Sequence, residues 1–191
     1  MKFLLVLLFT PLILTAATPD PLPDDPKCTD ADREIMKRCY ELADRAVKEG
    51  NSPFSAVLVV DGKIVGEGTN AVGVTRDPTR HAELGLISSV IPKLDHDTIR
   101  RSTLYASSEP CVMCCGAILS AGIPKVVYGV TEAQFQRIIG EHVNKDPLNS
   151  RAIMARTNKE VVILGPLMEK EGLVAHEAYW PEAMKSWSKK D

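Results

Sequence analysis

The chain has 191 residues, of which 45% are hydrophobic and 25% charged, and its formal charge at pH 7 is −2. That balance suits one globular domain with a sizeable core and excludes a disordered chain. A mildly acidic protein carries no electrostatic footprint for nucleic acid, and the short basic runs Arg100-Arg101, Arg151 with Arg156, and Lys189-Lys190 read as solvated surface.

The first seventeen residues stand apart from the rest. Lys2 is followed by an apolar run from Phe3 to Leu14, interrupted only by Thr10 and Pro11, and then by the small residues Thr15-Ala16-Ala17. This is the pattern of a secretory signal peptide over 1–17, cleaved near Ala17; an uncleaved membrane anchor is the other reading. The expectation is a secreted or periplasmic protein with no membrane attachment once the peptide is removed. Five cysteines are an odd count for an exported chain. Cys28 and Cys39 could pair in an oxidising compartment, and Cys115 reads as a small buried residue.

Residues 18–29 hold Pro19, Pro21, Pro23 and Pro26 among aspartates, which predicts a linker or extended arm ahead of a single domain over 30–191. Thr29 or Asp30 caps a predicted helix over 31–48, with Ile35, Cys39, Leu42, Ala43, Ala46 and Val47 at helical spacing and Gly50 at its end. A strand over 54–60, the turn Asp61-Gly62 and a return strand over 63–68 form a hairpin. A loop over 70–78 leads to a helix from Thr79 or Arg80 to about Val90. A strand over 103–106, a helix over 111–121, a strand over 125–130 and a helix over 132–140 follow. Residues 141–158 read as loop with one short helix, 160–164 as a last strand, and 167–189 as a C-terminal helix broken near Pro181. One hairpin followed by helix–strand alternation predicts an α/β fold: a mixed five-stranded sheet with helices on both faces, a three-layer α/β/α sandwich.

Two segments carry chemistry: His81-Ala82-Glu83 and Pro110-Cys111-Val112-Met113-Cys114. Catalytic zinc takes three nitrogen or sulfur ligands and leaves a fourth position for water, which His81, Cys111 and Cys114 would satisfy. A Cys-x-x-Cys at a helix start lets both sulfurs converge, and the positive helix end favours thiolates. Glu83 lies two residues from His81, so the pair shares a point only at an irregular first turn. There Glu83 is free to move protons rather than bind metal. Either motif alone is weak. Together, with twenty-six residues between Glu83 and Pro110, they match the zinc deaminase signature.

Around these motifs the text from about Asp32 to Val130 resembles the cytidine-deaminase-like superfamily, especially its free-base and transfer-RNA adenosine deaminase branches. The matching stretches are Ser-Pro-Phe-Ser-Ala-Val-Leu-Val at 52–59, Gly-Glu-Gly-Thr-Asn at 66–70, Asp-Pro-Thr-Arg-His-Ala-Glu at 77–83, and Thr-Leu-Tyr-Ala-Ser-Ser-Glu-Pro-Cys-Val-Met-Cys-Cys-Gly-Ala-Ile-Leu at 103–119. Gly122-Ile123 and Val126-Val127-Tyr128-Gly129 complete them. The resemblance implies one Zn2+ per chain, a homodimer, and hydrolytic loss of ammonia from a ring carbon that bears an amino group, with Glu83 protonating the ring nitrogen and the departing amine. It also implies that Asn70, the backbone of Ala82 and Phe54 meet the substrate; taken alone, Asn70 also reads as a turn residue and Phe54 as a core aromatic. Glu109 reads as an architectural hydrogen-bonding residue.

The resemblance implies a small-molecule nucleobase or nucleoside as substrate, of guanine or cytosine type, with adenosine-type purines also candidates. Transfer RNA is disfavoured by export and by the acidic balance. Ser55 stands where that free-base branch has glycine, with the expectation of a reshaped pocket floor. The C-terminal residues His176, Glu177, Tyr179 and Trp180 either close over the base or pack a terminal helix on the core; both readings stand. A zinc-binding effector with this fold and little turnover, and a structural zinc or thiol redox module, are the competing classes. Intact Glu83 argues against the first and the lack of a fourth ligand against the second.

Overall fold

The computed structural model describes residues 20–140 and 148–187. The predicted signal peptide lies outside the described residues. Thr29 opens α1 (Asp30–Lys48) with a reciprocal cap, its hydroxyl accepting from the Asp32 N–H while Asp32 accepts from the Thr29 N–H. Gly50, at φ 85°, turns the chain away. Strands β1 (Ser55–Val60) and β2 (Lys63–Thr69) are joined by Asp61 and Gly62, both at positive φ, as a two-residue hairpin requires.

The short helix α2 (Val72–Thr75) interrupts the predicted loop, and α3 (Ala82–Val90) starts two or three residues later than its pattern suggested. A 3-10 turn and α4 (His96–Ile99) lead to β3 (Ser102–Ser108), then α5 (Val112–Ala121), β4 (Lys125–Val130) and α6 (Glu132–Ile139). After α7 (Ser150–Met154) come β5 (Val162–Leu164) and α8 (Glu169–Trp187).

The sheet order is β2-β1-β3-β4-β5, antiparallel at β2/β1 and β1/β3 and parallel at β3/β4 and β4/β5. This is the mixed five-stranded sheet of the sequence reading. Strand alternation sorts its side chains into two cores. Ala56, Leu58, Leu104 and Val126 face α3, α5 and α7, with Leu86, Cys115, Ile118 and Met154. Val57, Val59, Tyr105 and Val127 face the opposite layer, with Met36, Cys39 and Leu42 of α1. The α/β/α sandwich follows.

One expectation is corrected, and two alternatives left open by the sequence are narrowed among the described residues. Helix α8 is continuous through Pro181. Pro181 and Glu177, whose carbonyl loses its helical partner, are both exposed, so water can take the missing donor's place. Cys28 and Cys39 are free thiols packed in one apolar cluster, without a disulfide. The proline-rich arm is not a loose linker over its described part. Asp24 pairs with Arg33 and accepts from the Met168 N–H, and the Leu22 N–H donates to Glu169. Cys115 is fully buried, as read, with its sulfur 3.4 Å from the Pro110 carbonyl.

Candidate active site

The N-termini of α3 and α5 lie side by side on one face of the sheet, and each carries half of the site. His81 is the extended residue before α3 (ψ 153°) and Cys111 the extended residue before α5 (ψ 175°). Glu83 sits in the first turn of α3, 7% exposed, so the irregular start expected for His-x-Glu is what the chain adopts. Close approach of α3 to the sheet depends on Gly68 of β2: a Cβ there would stand 2.6 Å from the Ala82 carbonyl oxygen.

The donor atoms converge. His81 Nδ1 is 3.6 Å from Cys111 Sγ and 3.7 Å from Cys114 Sγ, and the two sulfurs are 3.6 Å apart. Tetrahedral zinc, with bonds of about 2.3 Å to sulfur and about 2.0 Å to nitrogen, needs edges of about 3.8 Å between sulfurs and about 3.5 Å between sulfur and nitrogen. The three side chains therefore fit a single zinc ion, and they form a His/Cys/Cys group among the described residues. The bond to Cys111 and burial push the Cys114 thiol up, while the bonds to Cys114 and His81 hold the half-buried Cys111 thiol down at about 4. His81 is raised by its bond to Cys111. Burial pushes the Glu83 carboxyl up to about 7, reinforced by the Cys111 sulfur.

Above this group lies a cavity of about 200 Å³ with His81, Glu83 and Cys111 in its lining. Phe54, Phe135 and Trp180 line it with their rings, Phe135 standing edge-on to Phe54 (5.4 Å between centroids) and Trp180 5.4 Å from Phe135. Ser108, Glu109, Glu132 and Gln136 also line it. Gln136 Nε2 donates to Glu132 Oε1 (2.5 Å), and burial raises the Glu132 carboxyl.

Of the expected substrate residues, Phe54 lines this cavity. Asn70 and Ala82 are buried beside the site without lining it: Asn70 Oδ1 accepts from the Val72 N–H (3.1 Å), and Ala82 packs under Gly68. Ser55 does not reshape the floor; its hydroxyl donates to the Cys39 carbonyl (2.5 Å) on the far side. Glu109 is a brace, accepting from the Ser150 N–H and hydroxyl and from the Glu132 N–H. The C-terminal cluster divides. His176 and Trp180 join the ring cluster beside Phe54, Tyr179 lines a groove with Asp44 and Val47 of α1, and Glu177 is exposed.

Sequence reasoning missed Ser108, Glu132, Phe135 and Gln136. The last three recur at helical spacing on α6 directly after a strand, which is their one local signal.

The family model for the cytidine and deoxycytidylate deaminase zinc-binding region matches residues 29–130. The chain belongs to this family. Among curated deaminase relatives, the tRNA-specific adenosine deaminase of Haemophilus influenzae is 41% identical over 102 residues, 53% of this chain and 59% of that one. The chain thus spans less than two thirds of that relative's length. A probable cytosine deaminase of Schizosaccharomyces pombe is 29% identical over 156 residues, 80% of this chain and 94% of that one. The guanine deaminase of Bacillus subtilis is 43% identical over 99 residues, 51% and 63% of the two chains. An X-ray structure of guanine deaminase from that organism superposes with a TM-score of 0.51 at 29% identity, covering 76% of this chain and 91% of that chain.

Proposed function

We propose that this deaminase-family chain is a zinc-dependent hydrolase that removes the amino group of a free nucleobase or nucleoside of guanine or cytosine type, releasing ammonia. The observation that carries the reading is the buried Glu83 beside the His81, Cys111 and Cys114 group, in the lining of a cavity walled by aromatic rings. A bound zinc supplies a Lewis acid that makes water nucleophilic near neutral pH.

The chain's own residues do the rest. His81, Cys111 and Cys114 hold the ion. Glu83 accepts a proton at a carboxylate oxygen, returns it to the ring nitrogen next to the amino-bearing carbon, and then carries one to the departing amine. Water adds, ammonia leaves and a carbonyl remains. Phe54, Phe135 and Trp180 offer ring faces and edges to a flat base and keep bulk water away from Glu83. In line with the family resemblance the reading includes one zinc per chain and a homodimer, and residues 1–17 support an exported setting.

Deamination of a nucleic-acid adenosine is the second reading, favoured by the likeness to the Haemophilus influenzae enzyme. A panel of bases, nucleosides and a transfer-RNA anticodon stem, assayed for ammonia with zinc content measured alongside, separates the two. The proposed reading expects release from a free base or nucleoside, with Glu83→Gln slower by a factor of about 10² to 10⁴ while zinc is retained. Full activity in Glu83→Gln sinks the mechanism, and release from RNA alone transfers the assignment.

A further inference from the structure

Ser108 ends β3, three residues before Cys111, and faces the cavity. Its partner comes from far along the chain: Ser108 Oγ lies 3.0 Å from His176 Nε2 on α8. The other imidazole nitrogen, Nδ1, receives the Trp180 indole N–H at 3.0 Å. An indole N–H can only donate, so Nδ1 is an unprotonated acceptor. A neutral imidazole then carries its proton on Nε2 and donates it to Ser108. Burial keeps His176 neutral, since its pKa is pushed down to about 4.

A hydroxyl that accepts from His176 still has its own proton to give. Among the described residues no acceptor takes the Ser108 proton, and the residue is 8% exposed. The carboxylates of the cavity are acceptors, and two are already engaged: Glu109 by Ser150 and the Glu132 N–H, Glu132 by Gln136. Ser108 is therefore a donor that the site offers a ligand, aimed by a relay that runs from Trp180 through His176.

We propose that Ser108 donates to a ring carbonyl of the substrate, with His176 and Trp180 as positioning residues. The chain then prefers amino bases whose oxo group lies one ring nitrogen away from the amino-bearing carbon. This rests on the free-base reading above. Cytosine and guanine share that arrangement, whereas adenine has a C–H at the same place. An exocyclic oxygen projects past the ring edge toward the cavity wall, while Glu83 serves the unprotonated ring nitrogen next to the reacting carbon, N3 in cytosine and N3 in guanine.

The test uses the zinc-loaded full chain carrying Glu83→Gln, so that bound bases are not consumed. Calorimetric titration compares cytosine with 4-aminopyrimidine and guanine with 2-aminopurine, pairs that differ in the oxo group. The expected preference for the oxo member is about tenfold, falling to within about twofold in Ser108→Ala and returning in Ser108→Thr. In parallel, nitrogen-15 NMR of His176 should show the proton on Nε2, and Trp180→Phe should lose both that tautomer and part of the preference. A preference that survives Ser108→Ala, or a proton found on Nδ1, overturns the proposal. If none of the four bases binds, the free-base reading falls and the carbonyl preference with it, while an Nε2 tautomer in that case still supports the donor assignment of Ser108.

Discussion

Gly68 of β2 lies against the carbonyl of Ala82, so closely that a Cβ at residue 68 would stand 2.6 Å from that oxygen and 3.0 Å from the Leu86 Cβ. Backbone cannot yield as a flexible side chain can. Gly68→Ala should therefore push the start of α3 off the sheet, destabilising the fold by about 1–3 kcal/mol and moving His81 away from the two sulfurs. Thermal unfolding and zinc content measure the two effects together. A variant with wild-type stability and full zinc would show that the contact does not set the position of α3.

Two adjacent cysteines should behave in opposite ways. Cys114 is part of the converging donor group, whereas Cys115 is buried in the core with its sulfur on the Pro110 carbonyl. Cys114→Ser is expected to lower bound zinc well below the level of about one per chain. Cys115→Ser should keep the metal, with a stability loss of about 1 kcal/mol. Elemental analysis after dialysis distinguishes them.

The Glu109 carboxylate ties α6 and α7 to the end of β3 through three donors. Glu109→Ala leaves those donors without their acceptor and should cost about 2–4 kcal/mol in urea unfolding, with Glu109→Gln intermediate. Because α6 carries Phe135 into the cavity, KM should rise in the alanine variant more than kcat falls.

His176 should make the protein sensitive to mild acid. Above pH 6.5 the imidazole is neutral whether folded or unfolded and contributes no pH dependence. Between 6.5 and about 4 only the unfolded chain takes the proton, because burial holds the folded His176 down. Stability is then lost progressively as pH falls through that window, by up to about 3 kcal/mol, and the loss levels off below it. Unfolding curves at pH 7, 6, 5 and 4 should be flatter for His176→Gln than for the unaltered chain; equal slopes would remove His176 from the account.

Much of the molecule could be read locally. The β1–β2 hairpin is legible because Asp61-Gly62 demands positive φ, and α1 because its apolar positions repeat at helical spacing behind a cap. The break expected at Pro181 did not occur, since proline's missing donor costs little where the facing carbonyl meets water. Ser108 illustrates the opposite limit. It lies within the motif-bearing segment, yet its partner is 68 residues away, and no local pattern announces that pairing.

The residue types of the site follow from the chain alone: one imidazole and two thiols at the starts of two helices, with a carboxylate two residues from the imidazole. Short-range geometry suffices there, because each half of the site sits within a single helix turn. What tertiary structure decided is the cavity above them. Phe54, Ser108, Phe135, His176 and Trp180 come from β1's approach, β3, α6 and α8, and only the packing of α6 and α8 over the ends of the strands brings them together. Tautomer, donor direction and wall shape are properties of that packing, which the spacing of residues along the chain does not encode.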